Sequence, residues 1–231
     1  MGWIGGNWTG LTGNARRRLR LFPAFPAVPA LPALFLVLAA ACSNGPPEDE
    51  GQYVREIETA RTEKDAAFQK APDGEPVPLS RRGQLLPLAY FPIDPAYNVP
   101  AVLMPSTDRA TMIMPTSTGG QREMRRVGAL EFTLKGQTLK LTAFVEANAP
   151  NMDHLFVPFT DLTSGTETYP AGRYLDLDRN ATGLYAIDFN RAYHPFCYYN
   201  PTYDCPYPPA ENRLKIPIRA GERTKKLKTE N

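Results

Sequence analysis

The sequence is poor in the residues that most enzyme chemistry uses. It has two histidines and three cysteines in 231 residues. Two histidines leave little room for a His-centred mechanism. There is no phosphate-cradling glycine loop, no G-x-S-x-G elbow and no H-E-x-x-H pair, so the usual marks of nucleotide, serine-hydrolase and zinc-protease chemistry are missing. No internal repeat is present. A long unbroken apolar run is missing as well. Residues 21–41 are apolar, but Pro23, Pro26, Pro29 and Pro32 break the first half, and only "ALFLVLAAA" is continuous. That run suits the h-region of an export signal better than a membrane-crossing helix. Finally, the net basicity is only apparent. Residues 1–41 hold four arginines and no acids, so 26 basic residues less four leaves 22 against 24 acidic ones. Nothing global points to nucleic acid.

What is present begins with an export signal. "ARRRLR" at residues 15–20 is a basic n-region, the apolar stretch follows, and Ala39, Ala40 and Ala41 stand before Cys42. This order predicts a signal peptide over residues 1–41. Small residues ahead of a cysteine resemble the bacterial lipobox, with Ala39 where leucine is usual. The resemblance implies cleavage before Cys42 and a lipid on it, making the membrane a partner through that lipid. The expected location is the cell envelope, as an exported, membrane-anchored lipoprotein. Ser43, in place of aspartate, favours the outer membrane in a cell that has two. Ordinary secretion and an uncleaved anchor are the alternatives.

Residues 42–51, rich in Pro, Gly and acid, read as a flexible tether. Residues 52–223 read as one β-rich domain, and residues 224–231 as a basic, solvated tail. From Gln52 to Lys70 apolar residues recur at helical spacing, with Tyr53, Ile57, Ala60, Ala67 and Phe68 on the stripe. "APDGEP" stops that helix. Residues 80–100 hold too many prolines for a long regular element and are expected to wrap with short strands. "ALEFTL" and "TLKLTAFVEA" flank "KGQ", which predicts a hairpin. "HLFVPF", "TETYPAGRYLDLD" and "LYAIDFN" follow, separated by polar turns. Strands at this spacing predict a mainly β fold: a single antiparallel barrel or sandwich, with an N-terminal amphipathic helix and an irregular Pro/Tyr-rich C-terminal segment. "NAT" at Asn180 has the form of a glycosylation sequon but reads as a turn.

"FTDLTSGTETYPAGRYLDLD", "IDFNRAYHPFCYYNP" and "CPYPPAENRLKIPIRAGE" resemble the bacterial and archaeal family known as domain of unknown function 1684. The resemblance spans roughly residues 57–222. It implies paired cysteines, matching Cys197 and Cys205, and it implies members without a leader. It brings no catalytic residues, because the family has no established activity.

Candidate chemistry clusters in residues 190–214, where "NRAYHPFCYYNPTYDCPYPPAENRL" gathers tyrosine, proline, His194, Cys197 and Cys205. Three readings of the cysteines stand open. A disulfide would staple an irregular segment, reduced buried thiols would simply pack, and a metal or redox site would use both sulfurs. Zinc on His194, Cys197 and Cys205 is the metal version, but the spacing matches no standard zinc pattern, so no cofactor is expected. A flavin-binding split barrel is compatible with the strand pattern, though no residue argues for it. In the last strand Tyr185, Ile187 and Phe189 share one face, and Asp188 and Asn190 share the other. If that second face looks into a barrel mouth, Asp188 and Asn190, with Tyr193 and His194 close behind, form a site. Arg173 could grip a carboxylate or phosphate in it. The ligand would be a small polar or anionic molecule, or an envelope partner protein. The enzyme alternative is acid/base or metal-assisted hydrolysis by Asp161, Glu167, Asp188 and His194. It requires these side chains to converge. A passive structural lipoprotein is the third reading. Glu211 and Asn212 are expected to cap or bond the irregular segment.

Overall fold

Period-two stretches become an antiparallel sheet, and the first helical stripe becomes a helix laid against it. The computed structural model describes residues 50–108, 111–179 and 184–225. The leader, Cys42 with most of the tether, the Asn180 sequon and the tail beyond residue 225 lie outside these residues. Seven strands form one sheet: β2 (Asn98–Pro105), β3 (Thr111–Pro115), β4 (Gln121–Leu134), β5 (Gln137–Glu146), β6 (His154–Phe159), β7 (Arg173–Asp178) and β8 (Tyr185–Asp188). Their order is β7-β6-β5-β4-β2-β8, with β3 also on β4. The end strands β7 and β8 come back into contact, so the sheet is nearly closed into a barrel. Closure removes most of the unpaired edge that an open sheet would expose.

The expected hairpin joins β4 to β5. Leu134 pairs with Gln137, and the two turn residues are Lys135 and Gly136, with φ of 49° and 77°. Two positive φ values make a type I′ turn, whose twist matches that of the strands it joins. β4 is longer than "ALEFTL" suggested. It starts at Gln121, and its 14 residues serve two partners in succession. The N-terminal part pairs with β3, through Met112↔Met124, and the C-terminal part with β2, through Ala101↔Phe132. The charged run "REMRR" is still a strand because its polar side chains alternate with buried Met124. At Gly128, next to a register shift against β5, a Cβ would lie 2.3 Å from the Met104 carbonyl oxygen. Only glycine lets β2 and β4 approach there.

The barrel interior is filled by alternate residues. Leu130, Phe132 and Leu134 of β4 meet Leu141, Ala143 and Val145 of β5, all buried. On the opposite face of the same pair, Glu131 and Lys140 meet at 2.6 Å. β5 and β6 pair only at Phe144↔Phe156 and then diverge. Asn212 fills the split. Its Oδ1 accepts from Thr142 N at 2.7 Å, and its Nδ2 donates to Thr142 O at 2.8 Å and to Pro158 O at 2.7 Å. A side-chain amide thus stands in for a missing length of strand, which the expected bonding role of Asn212 had anticipated only in kind.

Helix α1 (Glu50–Lys70) begins slightly earlier than the apolar stripe suggested. Its inner face is more polar than expected. Tyr53, Ile57, Arg61, Lys64 and Phe68 recur at spacings of three or four, so they share one side. Ile57 and Phe68 are buried. Arg61 donates to Phe91 O at 3.1 Å and Asn190 O at 3.3 Å. Lys64 reaches Glu222 at 2.6 Å, and Glu222 is 2% exposed. The free carbonyls at the C-terminal end of α1 are met by Arg82 of α2 (Leu79–Leu85), which donates to Gln69 O, Ala71 O and Pro72 O at 2.6–2.9 Å. Glu222 itself begins β9 (Glu222–Arg223), which pairs with β1 (Ala89–Tyr90).

Replacing Lys64 with methionine leaves the Glu222 carboxylate buried without its cation. An unpaired buried charge costs about 3–5 kcal/mol. Urea denaturation should show that loss for Lys64→Met, and a smaller loss for the double variant Lys64→Met/Glu222→Gln. Equal losses would mean that the ion pair does not carry the helix.

Candidate functional site

The Pro/Tyr-rich segment crosses the outside of the sheet as a strap. At one end Tyr193 pairs its backbone with Tyr174 of β7, through bonds of 2.9 and 3.1 Å. At the other, Ser117 N donates to Cys205 O and Tyr207 N to Pro115 O, both at 2.9 Å, which ties the strap to the β3–β4 turn. Between these ends lies a short helix, α3 (Phe196–Tyr199). A tight turn follows, in which Asn200 Oδ1 accepts from Thr202 N and Thr202 Oγ1. Asn200 Nδ2 reaches across to Gly74 O at 2.8 Å.

A cleft of about 550 Å³ lies between this strap and strands β4–β7. Its walls are mainly rings: Phe156, Tyr174, Tyr193, Phe196 and Tyr203, with Met124 beside them. The rings brace one another edge to face. Phe156 and Tyr174 have centroids 4.7 Å apart, Tyr174 and Tyr193 5.8 Å, and Phe196 and Tyr203 5.3 Å. Hydroxyls are turned to the structure: Tyr174 OH donates to Pro206 O at 2.5 Å, and Tyr193 OH to Asp176 at 2.6 Å. Burial pushes both phenols well above their ordinary pKa, so they stay neutral donors. The rim is polar and charged. Arg122 lies 3.5 Å from Glu146 and donates to Asp204 O at 3.0 Å. His154, on the exposed rim, meets Asp178 at 2.8 Å, and that hydrogen bond raises its pKa. Thr118 Oγ1 donates to the Asp204 carboxylate at 2.5 Å.

Cys205 lines the same cleft, and Cys197 sits behind it. Both are buried free thiols in this structure. Cys197 N donates to Cys205 Sγ at 3.2 Å. Cys205 N in turn donates to Ser117 Oγ at 3.1 Å, and Tyr169 packs against both cysteines. Donation from Cys205 above all, with Ser117 and Tyr169, brings the Cys197 pKa down to about 6, while the same bond pushes Cys205 up.

The five expected binding residues separate. Tyr193 lines the cleft; Arg173, Asp188, Asn190 and His194 do not. Arg173 is fully buried, and its guanidinium donates to Asp161 Oδ2 at 2.9 Å, Ile218 O at 2.7 Å, Glu222 O at 3.1 Å and Ala220 O. These bonds tie the 218–222 segment to β7 and leave no surface for a ligand. Asp188 and Asn190 do share a polar face, but α1 covers it. Asp188 accepts from Tyr53 OH at 2.8 Å, and Asn190 Nδ2 donates to Tyr53 OH and Asp94 O. The expected barrel mouth is filled by helix. His194 is packed against Tyr198, with Nε2 accepting from Tyr169 N at 3.3 Å and its backbone N–H on Glu222 at 2.8 Å. It faces neither sulfur, and among the described residues no group of three acids, histidines or cysteines is placed to hold a metal.

The four residues of the hydrolase alternative have different partners. Asp161 serves Arg173 and its own turn, Glu167 meets Arg219 at the surface, Asp188 holds Tyr53, and His194 sits on Glu222. They do not form one constellation. The residues missed were Glu222, Arg122, Phe156 and Tyr203. Tyr203 lay inside the segment singled out. Glu222 gave no signal, since an acid between Gly221 and Arg223 reads as a surface residue.

Burial lowers the His194 pKa to about 4 from 6.5, against the pull of Glu222. In the unfolded chain the imidazole binds a proton below 6.5; in the folded chain it does not until about 4. Stability therefore falls as pH drops through this window. Glu222 adds the same sign at lower pH. Burial would raise its pKa, but Lys64 and the Tyr199 hydroxyl hold it below its ordinary value. Thermal melts from pH 7 to 4 should show this loss, and His194→Gln should flatten the upper part of the slope. An unchanged slope would mean that His194 titrates normally.

Residues 84–223 match the model of a family described as "Protein of unknown function (DUF1684)". An uncharacterized protein of the archaeon Haloarcula marismortui, solved by solution NMR, has a similar structure. It is 35% identical with a TM-score of 0.59, over 76% of this chain and 96% of the archaeal one. No curated protein matches. With the family model matched over more than half of the chain, the chain belongs to this family of unknown function.

Proposed function

We propose that this is a small-molecule-binding domain, held at the cell envelope by lipid on Cys42, and that its site is the aromatic cleft under the strap. The observation that carries this reading is the cleft itself. About 550 Å³ of concave space walled by braced rings is of the size and character of ligand sites. Rings locked edge to face lose little freedom on binding, which favours affinity. Arg122 supplies a cationic donor at the rim, paired with Glu146 and Asp204, and His154 lies beside Asp178. The ligand class that fits is a flat or apolar body with a polar, anionic edge. This replaces the Asp188 face as the site and changes the expected ligand from a small polar or anionic molecule to one with an apolar body. The envelope location is supported by the order of basic, apolar and small residues before Cys42.

The probe for the cleft is 1-anilinonaphthalene-8-sulfonate, a planar aromatic anion, added to the chain from residue 50 onward. Saturable one-to-one fluorescence enhancement is expected. Phe156→Ala should weaken it at least tenfold, and Arg122→Gln several-fold. Enhancement that never saturates, or that ignores both changes, would remove the cleft as a site. For the anchor, Cys42→Ser should abolish lipid labelling of the protein; labelling that persists would refute the lipobox reading.

A further inference from the structure

We propose that Cys197 and Cys205 are a redox-active dithiol in the wall of the cleft, closed to an intramolecular disulfide by exchange with a small-molecule disulfide of the glutathione class. The proposal rests on the cleft as the route by which that disulfide reaches sulfur. Three observations carry it. First, the two cysteines are held together: Cys197 N donates to Cys205 Sγ at 3.2 Å, and both side chains pack in one buried cluster with Tyr174. Second, Cys205 faces the cleft while Cys197 lies behind it. Third, the strap does not depend on a staple. Backbone bonds fix it at Tyr174–Tyr193, Ser117–Cys205 and Pro115–Tyr207, and the Asn200 turn fixes its middle. Both ends stay in place whether the sulfurs are joined or apart. Ser117 Oγ, which accepts from Cys205 N at 3.1 Å, and Tyr169, packed against both cysteines, make a polar setting in which Cys197 can hold a negative charge.

The exchange runs in two steps. The Cys197 thiolate acts as base and takes the Cys205 proton, and the Cys205 thiolate so formed attacks one sulfur of the bound R–S–S–R. The S–S bond breaks, R–S⁻ leaves and takes a proton from solvent, and a mixed disulfide forms on Cys205. Cys197 then loses its proton, attacks the Cys205 sulfur and expels the second R–S⁻. Two protein thiols and one disulfide become one protein disulfide and two small thiols. The protein gives up two electrons and two protons, and the small disulfide gains them.

The test uses the full chain in detergent, equilibrated with glutathione at varied ratios of reduced to oxidised form. Reaction is stopped with an alkylating agent, and tryptic peptide 192–213, which holds both cysteines and not Cys42, is weighed. The expected result is a two-electron transition from doubly alkylated peptide to unalkylated peptide two hydrogens lighter than the dithiol, with one midpoint reached from both directions. Cys197→Ser should retain one glutathione on Cys205, and Cys205→Ser should retain none. Peptide alkylated twice at every ratio overturns the proposal, as does glutathione captured by Cys205→Ser alone. The wild-type titration needs no variant, and thermal melts check that both serine variants fold. Saturable binding of 1-anilinonaphthalene-8-sulfonate without exchange refutes the dithiol and keeps the cleft. Exchange without saturable binding refutes the cleft as a ligand site and keeps the dithiol chemistry alone.

Discussion

The fold depends on one carboxylate that water does not reach. Glu222 takes the Lys64 ammonium from α1, the Tyr199 hydroxyl from α3 and the His194 backbone N–H from the start of the strap. Its main chain takes a guanidinium N–H from Arg173 of β7. Three separate pieces of chain, α1, the strap and β7, thus meet at one residue. Burying a charge is costly unless every lone pair is met, and here the partners come from different elements, so each element is specified by the others. The residue at the centre cannot be moved without leaving several donors unmet.

The same logic explains the strap. An irregular segment has no ladder of its own, so its polar groups must be met one at a time. Tyr174 and Tyr193 exchange two backbone bonds, Ser117 and Cys205 exchange theirs, and Asn200 satisfies its own turn. With the backbone accounted for, the tyrosine and phenylalanine rings are free to line a concavity instead of filling it. Prolines at 195 and 206 stiffen its two ends.

Much of the architecture was legible in the sequence. The alternation in "ALEFTL" and "TLKLTAFVEA", with "KG" between, specified the hairpin because side-chain period and turn chemistry agree. The strand–turn spacing gave an antiparallel barrel or sandwich, which the structure resolves into a nearly closed barrel, and helical spacing gave α1. What was not legible was the contact between elements far apart in sequence. Asp188 and Asn190 do lie on a polar face, but only the docking of Tyr53, some 135 residues away, decides that the face is covered. Arg173 looks like a ligand grip to anyone who cannot see that four carbonyl and carboxylate groups already surround it. Glu222 has no local pattern at all. The strap could be singled out by composition, since prolines and tyrosines rarely gather without a purpose, yet which of its rings face open space depends on where β4 and β6 run beneath it.

Asn212 has a consequence for the order of assembly. β5 and β6 share only one paired position, and the amide that bridges their divergence comes from residue 212, far downstream of both. As the chain emerges from the ribosome or an export channel, the first strands form a sheet with an open seam. Backbone groups of Thr142 and Pro158 stay without their partner until that asparagine arrives. Contacts of such long sequence separation are slow to form. The seam between β5 and β6 therefore closes only after the C-terminal segment that carries Asn212 has been made and docked.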